Sequence, residues 1–67
     1  MAAENRVREI RKEQDVTQTE LAEALDVSRQ TVFAIETQNY NPSVELALKI
    51  SKYFNKPVEK IFSLKEK

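Results

Sequence analysis

Apolar residues along this chain of 67 recur at three- and four-residue intervals, in five short bursts. That spacing is the period of a helix with one buried face. The first burst, Val7 and Ile10 with Arg11 on the same side, predicts a helix from about Asn5 to Gln14. The second begins at Thr17, where Thr17-Gln18-Thr19-Glu20 has the form of a capping box, and carries Leu21, Ala22 and Leu25 inward. A third opens after Ser28, a good N-cap, with Val32 and Ile35 on its inner side. The fourth opens at Ser43 behind Pro42, has Glu45 in its first turn, and carries an apolar stripe of Val44, Ala47, Leu48, Ile50 and Phe54. Pro57 suits the start of a short fifth helix, in which Val58, Ile61 and Phe62 share a face. No stretch alternates long enough to predict a strand.

The joints are unusual because the chain has no glycine. Short helices joined by tight turns need a residue with positive φ after each helix. Asp15, Asp26, Asn39 and Asn55 stand at the joints, and these types tolerate the left-handed region best after glycine. Each costs roughly 1 kcal/mol relative to glycine.

The second and third helices form one unit, residues 18 to 35. Two helices crossing near a right angle through a tight turn need a small residue at the contact, a left-handed residue in the turn, and apolar residues facing back. Ala22, Asp26 and the pair Val32 and Ile35 meet those needs, and Val27 plugs the turn. An ordinary hairpin in a helical bundle could be built in the same way. The outward face of the third helix argues for more. Arg29, Gln30, Phe33 and Ala34 lie opposite the buried pair, near the helix N-terminus. Arginine can bond guanine O6 and N7 together, glutamine can do the same with adenine N6 and N7, and apolar groups can meet a thymine methyl. Ser28, Thr31 and the helix N-terminus offer donors to phosphate, and Gln18 stands where the preceding helix meets the DNA backbone. A plain solvated face remains the alternative for Arg29 and Gln30.

Three stretches, RVREIRKEQDVTQTELAEAL, DVSRQTVFAIE and YNPSVELALKISKYFNKPVEKIF, resemble the Cro/phage-repressor (XRE-type) helix-turn-helix family over roughly residues 5 to 62. Within it the chain is most like the small free-standing dimeric repressors. The resemblance implies an all-α fold: one repressor-like DNA-binding domain of five helices spanning residues 1–67, with a helix-turn-helix at about 18–36 and a short extended C-terminal tail. It implies that Gln18 clamps a phosphate and that Arg29, Gln30, Phe33 and Ala34 face bases. Thr31 and the loop of Asn39, Tyr40 and Asn41 would touch the backbone. Arg11 and Glu36 match a structural ion pair of the family, a surface pair of little energetic value being the alternative. Small relatives pair through the C-terminal end, here Pro57, Val58, Ile61, Phe62 and Leu64; the alternative, nearly as strong for Val58 and Phe62, is that these side chains cap the monomer core. The chain departs from the family in having Asp or Asn where glycine is common, and no cation near Ala34 or Asn39.

Charge complicates this picture. Eleven basic and eleven acidic residues cancel, which excludes a non-specific nucleic-acid coat. Residues 15–45 carry Arg29 alone against six carboxylates, so the segment expected to read DNA is acidic. Arg6, Arg8, Lys12 and the lysines of the last third are the cations available to flank it. Without cysteine or histidine there is no disulfide and no thiolate or imidazole metal site. Scattered carboxylates with no glycine loop give no acid–base pair or phosphate cradle, so neither an enzyme nor a cofactor is expected. No apolar run reaches membrane length and the first residues lack a signal peptide's apolar core, so a cytoplasmic protein is expected. The expected activity is sequence-specific binding of double-stranded DNA by a homodimer on a palindrome, repressing transcription. With no residues left over for a ligand domain, control would act through dimerisation, a partner or concentration. The competing function is a protein-binding module such as an antitoxin, for which exposed Phe33 and Tyr40 would suit.

Overall fold

A computed structural model describes residues 3–38 and 40–64, in the order β1 (Ala3–Asn5), α1 (Val7–Glu13), α2 (Gln18–Leu25), α3 (Arg29–Glu36), α4 (Val44–Phe54), α5 (Val58–Ile61) and β2 (Phe62–Leu64). Local chemistry sets each helix start. Thr17 accepts from the Glu20 N–H at 3.0 Å, and the Glu20 carboxylate accepts from the Thr17 N–H at 2.8 Å, completing the capping box of α2. Ser28 and Ser43 cap α3 and α4 by accepting from the Thr31 and Leu46 amides. α1 has no such cap. Instead the Asn5 carboxamide oxygen accepts from the Val7 N–H at 3.0 Å.

The turns use the expected left-handed residues with one exception. Asp15, Asp26 and Asn55 have φ near +60°. After α3 it is Gln38 that turns left-handed, at φ 67°, while Asn39 lies outside the described residues. Gln38 is held there by its surroundings. Its Nε2 donates to the Asn5 carbonyl at 3.2 Å, and Asn5 Nδ2 donates to the Ile35 carbonyl at 2.9 Å.

The helices close on a core of Val7, Ile10, Leu21, Ala22, Leu25, Val32, Ile35, Leu46, Ile50, Phe54 and Ile61. α4 turns differently from its expected stripe. Leu46, Ile50 and Phe54, four residues apart, face in, and Val44 and Leu48 are left exposed. The helix has two apolar stripes, and hydrophobic periodicity cannot tell which of them the core takes.

β1 and β2 form an antiparallel pair, Ala3 opposite Leu64 and Asn5 opposite Phe62. The extended C-terminal segment is thus a strand, and its partner at the other end of the chain was not expected from sequence. Three residues are too few to show alternation. Ile61 also departs from expectation. It is 1% exposed, inside the core rather than on a surface that a second copy could touch. Its place follows from α5 being a single turn, which must drive one side chain fully inward to dock at all. Ile61→Ala should therefore cost about 2–5 kcal/mol in chemical denaturation. A loss below about 1 kcal/mol would show that α5 does not share the core.

Candidate nucleic-acid interface

α3 buries Val32, Ile35 and Glu36 and turns Arg29, Gln30 and Phe33 outward. Phe33 is 56% exposed, a large apolar side chain with no place in the core. Among the described residues, Arg29 and Gln30 have no side-chain hydrogen-bond or ion-pair partner, which leaves both free for a ligand. Ala34 is half-buried beside them. Ser28 and Thr31, at the head of α3, bond each other through their hydroxyls at 3.0 Å. A phosphate there would meet an organised pair.

Three adjoining hollows surround this face. The first is lined by Arg11, Lys12, Asp15, Thr17, Gln18 and Arg29. The second lies among Arg29, Gln30 and Phe33. Arg8, Arg11, Gln18, Phe33, Glu36 and Thr37 line the third. Shared walls make them one surface, centred on Gln18, Arg29 and Phe33. It holds four cations, Arg8, Arg11, Lys12 and Arg29, against the carboxylates of Asp15 and Glu36. The face is therefore positive although the segment that supplies most of it is acidic. Glu20 lies outside it, engaged in the capping box.

The cations do not all gather here. Arg8 and Lys12 of α1 border the face, as expected of flanking cations. Arg6 is committed elsewhere. It forms a bidentate pair with Glu9, and that hydrogen-bonded guanidinium holds the Glu9 carboxyl below its ordinary range. Lys56 and Lys60 line a separate groove with Arg6, Glu13 and Pro57, and Lys49 lies 3.8 Å from Glu45. Lys56 and Lys60 thus line a groove apart from the α3 hollows, contrary to expectation, next to the point where the Arg6 amide donates to the Ile61 carbonyl at 2.8 Å. Tyr40 is 44% exposed and lines none of the three hollows, and Asn41 borders an apolar groove discussed below.

Beneath the face lies an ion pair. Arg11 Nε donates to Glu36 Oε2 at 2.6 Å and Nη2 donates to Oε1 at 3.3 Å, while Nη1 donates to the Val16 carbonyl at 2.8 Å. The two side chains are 10% and 2% exposed. Gln18 Nε2 donates to Glu36 Oε1 at 3.0 Å. No buried polar side-chain atom among the described residues lacks a partner, so the cost of desolvating the pair is offset by its hydrogen bonds.

No metal-binding group of acidic residues occurs among the described residues, and no described helix is long and apolar enough to cross a membrane.

Comparisons agree with this architecture. A family model described as helix-turn-helix matches residues 7–61. An uncharacterised HTH-type transcriptional regulator of Bacillus subtilis is 47% identical over 62 residues, 92% of this chain and 94% of its own. A second of that description, from Methanocaldococcus jannaschii, is 47% identical over 58 residues, 87% of this chain and 88% of its own. Among solved structures, a candidate DNA-binding protein of Bacteroides fragilis superposes with a TM-score of 0.84 at 21% identity, covering 91% of this chain and 98% of its own. That likeness concerns the fold.

Removing one member of the buried pair should be far worse than replacing both. Glu36→Ala, which strands the Arg11 charge, should cost about 3–5 kcal/mol, and the double variant Arg11→Met with Glu36→Leu should recover most of it. Equal losses for the single and double variants in urea denaturation would mean that burial of the charge is not what matters.

Proposed function

The chain belongs to the XRE-type helix-turn-helix family of DNA-binding transcriptional regulators, and from that premise we propose that it acts as a homodimer that represses transcription by occupying a palindromic operator. One observation carries the reading: Arg29, Gln30 and Phe33 project from α3 on a locally cationic face, with donors suited to base edges and an apolar ring suited to a thymine methyl. Gln18, Ser28 and Thr31 contact phosphates around them, as do Tyr40, Asn41 and the neighbouring Asn39. Ala34 sits at the edge of the base contacts. Arg8 and Lys12 add phosphate attraction from α1.

One such module covers an area on the order of 600–1,000 Å², too little for high selectivity. Two copies on a palindrome, with recognition helices ~34 Å apart, supply it. Support for a second copy comes from the stripe that α4 leaves uncovered. Val44 is 78% exposed, Leu64 69% and Leu48 56%. Val44 and Leu64 border a groove with Asn41, Pro42, Ala47, Val58 and Phe62, largely apolar and sharing no lining residue with the hollows of the α3 face. The proposed interface uses Val58, Phe62 and Leu64 and adds Val44, whereas Pro57 lines the separate groove of Lys56 and Lys60. Ile61 only supports it from within.

Two experiments test the reading. Selection from random duplex DNA by the purified chain should enrich a palindrome, and Arg29→Ala should relax the preference at one position in each half-site. Enrichment of no palindrome would favour the protein-binding alternative, to which exposed Phe33 and Tyr40 lend themselves. Leu64→Asp should sediment as a folded monomer with weakened operator binding. If it remains dimeric, the apolar groove is not the interface.

A further inference from the structure

The ion pair beneath the α3 face also governs a side chain on it. Gln18 is the first residue of α2 and half-buried, and its carboxamide can face either way round. Chemistry settles the matter: a carboxylate only accepts, so the atom bonded to Glu36 Oε1 must be Nε2. The second hydrogen on Nε2 has no protein partner among the described residues. It belongs to a side chain that lines both the hollow shared with Lys12 and Arg29 and the one shared with Arg8 and Phe33.

We infer that Glu36 is a positioning residue for DNA binding, holding the Gln18 carboxamide so that one Nε2 hydrogen bonds the buried carboxylate and the other is presented to a DNA phosphate. This rests on the DNA-binding reading above and adds to it a role for a residue that touches no nucleic acid. Without the carboxylate the carboxamide could turn its oxygen outward, and an acceptor would face an anion. With it, a single amino group bridges two anions. Arg11 is what makes the arrangement tolerable, because its guanidinium neutralises Glu36 at 2.6 Å and keeps a bare carboxylate from facing the phosphate. Arg11 Nη1 also bonds the Val16 carbonyl, just ahead of the Thr17 cap, so the same group steadies the backbone from which Gln18 projects.

The test is a double-variant cycle, using a duplex selected by the parent chain from a random pool. Gln18→Ala and Glu36→Gln should each weaken binding about tenfold, in line with loss of a hydrogen bond to a charged group. Together they should weaken it no further than Gln18→Ala alone, since a residue acting through Gln18 has nothing left to act on. Thermal melts of all four proteins establish that each is folded under the binding conditions. If Glu36→Gln weakens binding by the same factor with and without Gln18, or if Gln18→Ala has no effect, the inference is overturned while DNA binding stands. A parent chain that selects no duplex overturns both.

Should Glu36→Gln fail to fold, side-chain amide NMR of the parent chain decides. In the free protein the Gln18 Nε2 proton bonded to the carboxylate should be shifted out of the ordinary glutamine side-chain range, and its geminal partner should move when the selected duplex is added. Two unshifted protons that ignore the duplex would refute the positioning role.

Discussion

Arg11 is drawn out of solvent on α1 to meet Glu36 at the end of α3, and the geometry of the molecule turns on that contact. A buried guanidinium is tolerable only when its donors are matched, and here they reach Glu36 twice and Val16 once. The pair therefore gathers the end of α1, the segment before α2, the first residue of α2 and the last turn of α3. Helix–helix packing through Leu21, Ala22, Val32 and Ile35 supplies the burial energy of the hairpin. Apolar contact is not directional, however, and tolerates small rotations. The ion pair and its hydrogen bonds are directional, and they fix the rotation of α3 that sends Arg29, Gln30 and Phe33 outward together.

A second clamp holds the same helix from the other side. Asn5 donates to the Ile35 carbonyl and pairs with Gln38, while its backbone pairs with Phe62 in the two-stranded ribbon. The end of α3 is thereby tied to both ends of the described chain. This accounts for a glutamine in the left-handed region at Gln38, where glycine or asparagine would be less strained. The strain is local and is held by hydrogen bonds that need that conformation.

Much of this was legible in the chain. Capping residues Thr17, Ser28 and Ser43 mark three helix starts because side-chain capping is a local interaction, readable at fixed spacing. Asp15, Asp26 and Asn55 mark three turns for the same reason. The outward set on α3 follows once Val32 and Ile35 are assigned inward. What escaped was non-local. The strand Ala3–Asn5 exists because Phe62–Leu64 lies beside it, and nothing in three residues announces that. The choice between Leu46 and Val44 on α4, and the burial of Ile61, depend on what α4 and α5 pack against. The charge question likewise had no answer by segment. The Arg11–Glu36 pair was implied by the family resemblance, but the commitment of Arg6 to Glu9 and the convergence of Arg8, Lys12 and Arg29 are facts of three-dimensional arrangement.

On the reading proposed above, binding by this regulator rests on a few oriented side chains more than on bulk charge, and a second copy meets the uncovered stripe of α4 and β2. The most direct measurement is the map of backbone amide shifts in the isotopically labelled chain on titration with its selected duplex. The account predicts that the largest changes fall at Gln18, at residues 28–34 and on the adjoining part of α1 around Arg8 and Lys12. Changes concentrated instead on Val44, Leu48 and residues 58–64, with α3 silent, would contradict it.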